Sequence, residues 1–235
     1  MGRPRRPLLS RDRIVEAALR IADTEGLAAL STRRLAADLG VSGPSLYNHF
    51  RTMDELVDAV ADTVLAQVDI SMFGRLDWRT ALRDWARSYR AALAAHPNLV
   101  PVLARGPGRR PGALRLADAV FGGLVEGGWP RPHATRIGAL MRYFVTGSAL
   151  GSFASGFPAD ASVYSGEYPH LGQAHLLAEH QQEIDEGAFE TGLEALLDGL
   201  EIRYARVRRT SSAPAPAPAP AEDTDPDTEP EPATG

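Results

Sequence analysis

The chain has 235 residues, 44% hydrophobic and 7% aromatic, enough for one large or two modest domains with a buried core. It contains no cysteine, which excludes disulfides, thiolate metal sites and cysteine nucleophiles. The net charge of −5 is unevenly spread, because six acids lie in residues 222–231 and removing them leaves +1. Residues 1–51 hold nine arginines against five acids, a local excess that suits a phosphate backbone.

Residues 1–9 are basic and rich in proline, and we expect a flexible arm. No apolar core follows them, so they do not read as a signal peptide, and no apolar run approaches the roughly 18 residues of a membrane helix. We therefore expect a cytoplasmic protein with no membrane partner. Arms with Arg-Pro pairs can enter a narrow minor groove, and a solvated arm that adds nonspecific affinity is an equal alternative.

Four helices are predicted next, at about 10–25, at 31–39, from 42 and from 53. Ser10, Ser31 and Ser42 are N-cap candidates, and Gly26 is placed to end the first helix.

Beyond residue 76 the pattern stays helical but becomes more apolar, and no stretch alternates at period two, so we expect an all-α fold. Helices are predicted at about 77–95, 98–105, 112–128, 132–156, 171–185 and 187–208, with a longer loop at 157–170. From about residue 209 an Ala-Pro repeat and an acidic segment are expected to be disordered or extended. The predicted parts are a flexible basic arm (1–9), a first helical domain (10–52), a larger helical domain (53–208) and an acidic Ala/Pro-rich tail (209–235).

Residues 31–50 place two short helical patterns around a glycine corner. Leu35 and Leu39 supply an apolar anchor, and Gly40 permits a backbone conformation closed to most residues. Leu46 and Phe50 would face inward, which leaves small or hydrogen-bonding groups outward. A helix-turn-helix lays such a face in the DNA major groove.

The segment LSTRRLAADLGVSGPSLYNHFRTMDELVDAV resembles the DNA-binding segment of the TetR family of bacterial transcription regulators. Its strongest marks are the L-Y-x-H-F run after the glycine corner and the D-E-L helix start. The resemblance is close from residue 10 to about 65. Downstream of residue 65 the resemblance is limited to the size and helical layout of the family's ligand-binding half, with local similarity to its tetracycline-repressor-like branch at about 77–124. It implies a homodimer, a double-stranded operator, a small-molecule effector and most often repression.

The resemblance also implies roles for single residues. Tyr47 and His49 would contact phosphates, Arg33 would reach a guanine edge, a phosphate or solvent, and Arg51 would replace a lysine that relatives carry at the Met53 position. For Asn48 a solvated surface position is as consistent as a DNA contact. The full set of DNA-contact candidates is Ser31, Thr32, Arg33, Ser42, Gly43, Pro44, Ser45, Tyr47, Asn48, His49 and Arg51.

The larger helical half exceeds what DNA binding requires, so we expect a dimer interface, a ligand cavity or both. Its final helix and the small residues of the helix at 132–156 resemble the family's four-helix dimer interface. For each candidate cavity residue, ordinary core or surface packing is the alternative. The candidates are Trp85, Tyr89, Leu103, Arg105, Phe121, Met141, Phe144, Phe153 and His175, with Arg142 as a further polar group.

An enzyme is the first rival function. His170, His175 and His180 suggest a metal, but the last two are five residues apart and do not share a helical face well. Hydrolase, phosphate-loop and zinc-protease motifs are absent, so we expect no catalysis, metal or cofactor. The second rival is a ligand-blind or partner-controlled DNA-binding regulator. Residues 99–107 contain no histidine to help hold a metal-chelated drug, which disfavours tetracycline as the effector.

Overall fold

The structure, a computed structural model, describes residues 9–106, 108–166 and 168–211. The arm and most of the tail lie outside this range, so the predictions made for them are not addressed. The described residues form α-helices and short 3-10 turns without a β-strand, which confirms the all-α prediction. The helices are α1 (Arg11–Glu25), α2 (Thr32–Leu39), α3 (Gly43–Tyr47), α4 (Met53–Ala66), α5 (Trp78–Ala95), α6 (Val100–Leu103), α7 (Pro111–Glu126), α8 (Arg131–Ala149) and α9 (Gln181–Ser211).

Local capping fixes the first helices largely as predicted. Ser10 Oγ accepts from Arg13 N, and Ser31 Oγ accepts from Arg34 N, each at 3.2 Å. Gly40 closes α2 in the left-handed region at φ 66°, which a side chain would strain. Ser42 occupies the predicted N-cap position of α3, but its Oγ lies 2.7 Å from Ser45 Oγ and makes no cap hydrogen bond with the backbone.

Helix α4 connects the two halves of the chain. It packs against α1 on one side and against α7 on the other. Asp62 Oδ1 accepts from Gly112 N at 2.6 Å, and Arg115 Nη2 donates to the carbonyl of Ala66 at 3.3 Å. A Cβ on Gly112 would lie 2.7 Å from that carboxylate oxygen, so the close approach of α7 to α4 requires glycine here.

A second attachment joins the end of α1 to the turn before α6. Asn98 Nδ2 donates to the carbonyls of Ala22 (2.9 Å) and Asp23 (3.1 Å). The His96 ring nitrogen Nδ1 lies 3.0 Å from both carboxylate oxygens of Asp23. We call this group the α1 latch (Ala22, Asp23, His96, Asn98).

The C-terminal half is built from α5, α7, α8 and α9. An aromatic cluster stabilises one end, where the rings of Trp78 and Trp129 lie 5.3 Å apart and Tyr204 OH donates to Gly127 O at 2.7 Å. None of the described helices is long and apolar enough to cross a membrane.

The predicted helices differ from the observed ones between residues 150 and 186. Helix α8 ends at Ala149, where glycines at 147 and 151 weaken the helix, so the predicted extension to 156 is wrong. The predicted loop 157–170 contains a 3-10 turn at Ala161–Tyr164. The predicted helix 171–185 is instead a 3-10 turn, Ala174–His180, that leads into α9, and α9 continues through Gly187. One interior glycine costs a helix only about 1 kcal/mol, which packing offsets.

Three arginines of α5 pair with acids of α9 in a charge ladder. Arg83 Nε lies 2.6 Å from Glu194 Oε1, Arg87 Nη2 lies 2.7 Å from Glu190 Oε2, and Arg79 also pairs with this acidic face. The Arg83 hydrogen bond lowers the pKa of Glu194, and the Arg87 hydrogen bond lowers the pKa of Glu190.

Acid should therefore weaken the α5–α9 contact. A carboxyl whose folded pKa lies below its ordinary value of 4.5 contributes stability above that value and loses it as pH falls through the folded pKa. We expect the Glu190→Gln/Glu194→Gln variant to lose at most about 1 kcal/mol at pH 7, because partly exposed pairs are screened. Its loss of unfolding free energy between pH 6 and pH 3 should be smaller than that of the parent. Urea denaturation at each pH measures this, with Glu16→Gln on α1 as the control; identical pH profiles would contradict it.

Candidate nucleic-acid interface and internal cavity

Helices α2 and α3 bring the predicted DNA-contact residues onto one surface. Thr32 Oγ1 lies 3.2 Å from Tyr47 OH, and a Cβ on Gly43 would lie 3.4 Å from Thr32 Cγ2. The start of α2 therefore rests against α3. Tyr47 is 54% exposed although its neighbour Leu46 is buried. The other candidates are exposed (Ser31, Arg33, Ser42, Pro44, Asn48, Arg51) or half-buried (Ser45, His49).

The segment after α3 is held by a network that the sequence analysis missed. Arg11 donates to the carbonyl of His49 and to Glu55 Oε1, and its guanidinium lies 3.9 Å from the centroid of the Phe50 ring. Glu55 Oε2 accepts from Arg51 N at 2.8 Å. The backbone N–H of Arg51 and the Arg11 side chain lower the pKa of Glu55, so it stays ionised.

The signal for part of this network was in the sequence. Thr52 and Glu55 have the Thr-x-x-Glu spacing of a helix capping box, and Thr52 Oγ1 accepts from Glu55 N at 3.1 Å. This cap starts α4 and positions His49 and Arg51 beside α3.

Ion pairs divide the arginines of this half into two groups. Arg34 pairs with Glu25 at 2.6 Å, and Arg20 pairs with Asp38 at 3.0 Å, so both cations are neutralised on the protein. Within the described part of the chain, Arg33 and Arg51 form no ion pair and are exposed. Their positive charge is therefore directed outward, as a phosphate contact requires.

A partly open cavity of about 220 Å³ lies among α5, α6, α7 and α8, with one residue from α4. Six residues proposed from the sequence line it: Trp85, Tyr89, Leu103, Arg105, Phe121 and Arg142. Sequence reasoning missed Arg110 and Tyr143 among the polar lining groups. Gly138 also lines it, and a Cβ there would lie 2.3 Å from Phe121 Cε1, so this glycine leaves room for the Phe121 ring.

Four of the predicted cavity residues do not line this cavity. Met141 is fully buried in the closed core, and the Phe144 ring stacks on Phe189 of α9 at 5.4 Å. Phe153 lies beyond the end of α8, 69% exposed and 5.0 Å from the Phe157 ring. His175 lies in the 3-10 turn before α9. Helix rotation and the early end of α8 direct these side chains elsewhere, which residue type alone does not show.

The cavity wall is directly connected to α4. Leu65 of α4 is a lining residue, and Arg110 Nε lies 3.8 Å from Asp58 Oδ1 of the same helix. Arg142 Nη2 donates to the carbonyls of Leu103 (3.2 Å) and Ala104 (3.0 Å), which closes the end of α6. A molecule in the cavity would thus touch groups that hold α4 and α6.

A helix-turn-helix joined through one helix to a cavity of small-molecule size is typical of ligand-responsive DNA-binding regulators. The family described as "Bacterial regulatory proteins, tetR family" matches residues 14–60, and "Tetracyclin repressor-like, C-terminal domain" matches residues 72–204, more than half of the chain. The chain therefore belongs to the TetR family of transcription regulators, as the sequence predicted. The family is one of regulators rather than enzymes. The division between residues 52 and 53 stays a prediction.

Known relatives span nearly the whole described chain. Tetracycline repressor protein class A from transposon 1721 of Escherichia coli is 36% identical over 203 residues, 83% of this chain and 92% of the relative. HTH-type transcriptional repressor DrrR1 of Streptomyces coeruleorubidus is 32% identical over 226 residues, 89% and 83% of the two chains. The crystal structure of Streptomyces coelicolor ActR with actinorhodin superposes with a TM-score of 0.67 at 32% identity, covering 84% of this chain and 99% of ActR.

Proposed function

We propose that the protein is a homodimeric repressor in the bacterial cytoplasm, which binds a pseudo-palindromic operator and is released when a small molecule fills the cavity. The observation that carries this proposal is the cavity whose wall includes α4, the helix that directly follows the helix-turn-helix. Two relatives are named as repressors, and ActR holds actinorhodin in its crystal structure.

The dimer is supported by an exposed apolar surface on α8. Leu140 on α8 (39% exposed) and Leu150 just beyond its last residue (59%) leave apolar side chains uncovered, and Tyr143 (68%) is exposed at the edge of the cavity that it lines. The adjacent helix α9 exposes a stripe of mostly small side chains, which we call the α9 stripe: Ala188, Thr191, Ala195, Gly199 and Ile202. Two such helices from each chain would form a four-helix interface by the close approach that small residues allow.

On DNA, each chain would hold one half-site. Tyr47, His49 and the start of α2 would bind phosphates, and the small tip formed by residues 43–45 would lie closest to the bases. Pro44 offers only apolar contact there, for example to a thymine methyl. Sequence choice would then rest on Arg33 and on the shape of the operator.

Release follows from the attachment of α4. The ligand would favour a conformation in which α4 is displaced and the two recognition helices no longer match the half-site spacing. Because the coupling is reciprocal, operator DNA should weaken ligand binding by the same factor that ligand weakens operator binding.

Selection of bound duplexes from a random pool tests this function. We expect inverted repeats with half-site centres about 34–36 Å apart, or a multiple, because a two-fold dimer requires them. The Arg51→Gln variant should bind every selected duplex more weakly. It should also reduce the steepness with which the logarithm of the binding constant falls with the logarithm of the salt concentration. The reduction is about 0.9 for each phosphate contact that is lost, and a dimer would lose two such contacts.

Arg109→Gln is the matched control, because Arg109 is an exposed arginine in the loop before α7. Selected sequences without two-fold symmetry would contradict the dimeric arrangement. A salt slope unchanged by Arg51→Gln would contradict the phosphate contact.

A further inference from the structure

The charged groups on the cavity wall all have one sign. Arg105, Arg110 and Arg142 line it, and no aspartate or glutamate does so among the described residues. Two acids of α4 stand near this wall without lining it: Asp58 is 64% exposed at the side chain and 3.8 Å from Arg110, and Asp62 accepts from Gly112 N. A small cavity with apolar walls and only cations among its charged groups carries a positive potential, which attracts an anion and repels a cation.

The remaining wall is mostly aliphatic, with a group of aromatic rings on one side that includes an indole N–H without a partner among the described residues. The Trp85 and Tyr89 ring centroids lie 5.5 Å apart, and Phe121 completes this side. Trp85 is 3% exposed, and its Nε1 has no hydrogen-bond partner among the described residues. An unpaired buried N–H is costly, so a ligand that offers an acceptor oxygen to Trp85 Nε1 would remove that cost.

We propose that the effector is a planar aromatic carboxylate: its rings lie against Trp85 and Phe121, an acceptor oxygen takes the Trp85 N–H, and its carboxylate meets Arg105 and Arg110. This inference rests on the proposed function, because it names the ligand class of the same cavity. A neutral polycycle would bring no carboxylate to the arginines, and a cationic one would be repelled.

The carboxylate also supplies a trigger. Arg110 Nε faces Asp58 of α4, so an acid bound to Arg110 competes with Asp58 for the same guanidinium. Binding would loosen one of the contacts that hold α4 against the start of α7. An uncharged ligand of the same shape would fill the cavity without this effect.

A matched pair of probes tests the proposal: 2-naphthoate and its neutral isostere 2-naphthamide, titrated into the full-length protein without DNA by calorimetry. We expect 2-naphthoate to bind at least about tenfold more tightly, the scale of one charge-assisted hydrogen bond. Arg105→Gln and Arg110→Gln should each reduce this preference several-fold, whereas Arg109→Gln, an exposed neighbour that does not line the cavity, should leave it unchanged.

Thermal melting identifies a variant that fails to fold. Arg110 is buried, so its substitution can affect folding, whereas Arg105 is exposed and Arg105→Gln is expected to fold. Equal affinity for acid and amide, preference for the amide, or no binding of either probe would overturn the proposal. Tight, arginine-dependent binding of 2-naphthoate that leaves operator affinity unchanged supports the ligand class and contradicts release by ligand. Release of operator DNA by a neutral compound, with no acid preference, supports the function and contradicts the ligand class.

Discussion

Replacing Ala195 by arginine is expected to separate the dimer and to weaken operator binding by about 10²–10⁴-fold, the scale of a lost second attachment. Ala195 lies in the middle of the α9 stripe and is exposed in the single chain. In a two-fold interface the new arginine would be buried with no acid among the stripe residues, close to its symmetry mate. A monomer holds one half-site and loses the high effective concentration that a linked second site provides. Sedimentation equilibrium and fluorescence anisotropy on a selected duplex measure the two effects.

Ala91→Arg is the control, since it places the same charge at an exposed alanine of α5 that does not belong to the α9 stripe. It should change both the dissociation constant of the dimer and the affinity for the operator by no more than about twofold, as is usual for surface substitutions. A dimeric Ala195→Arg protein with full operator affinity would refute the α8–α9 interface.

Leu35→Ala is expected to destabilise the helix-turn-helix by about 2–5 kcal/mol, the range for a large buried side chain that leaves a cavity. Leu35 is fully buried between α1 and α3, at the end of the core that is furthest along the chain from the tryptophans. All three tryptophans, Trp78, Trp85 and Trp129, lie in the C-terminal half. Urea unfolding should therefore show an early loss of helical circular dichroism that tryptophan fluorescence does not follow.

Leu114→Ala provides the matched control, because Leu114 is 49% exposed on α7 and the same atoms are removed. It should change the free energy of unfolding by no more than about 0.5 kcal/mol. If both substitutions cost the same, or if the two signals shift together for Leu35→Ala, the helix-turn-helix does not unfold as a separate unit.

The helix-turn-helix could be predicted because its determinants are local. Ser31 caps α2 through a neighbour three residues away, and the left-handed Gly40 forms the corner without help from distant groups. The Thr52–Glu55 cap was equally local and was overlooked. By contrast, the contacts of Arg11 with His49 and Glu55 cross 38 and 44 residues, and no sequence pattern links positions so far apart.

The cavity could be predicted in composition but not in detail. Aromatic residues at 85, 89 and 121 line it as expected, whereas Met141 and Phe144, on the predicted helix, point to the core and to α9. Phe144 directly follows the lining residue Tyr143 in the chain, and packing decides which of the two rings reaches the cavity. Arg110 belongs to a segment read as a loop, so its burial beside α4 required the tertiary fold.

The α1 latch and helix α4 together have a kinematic consequence. A rigid body that is attached at two separate points can still rotate about the line that joins them. The helix-turn-helix is held at the end of α1 through Asn98 and His96, and along α4 through Asp62 and Gly112. Its motion relative to the cavity is then a swing about one axis. Without the Asn98 contacts, the helix-turn-helix would be held mainly along α4, and its rotation relative to the cavity would no longer be restricted to one axis. The two recognition helices would then be less well positioned for the operator even without ligand.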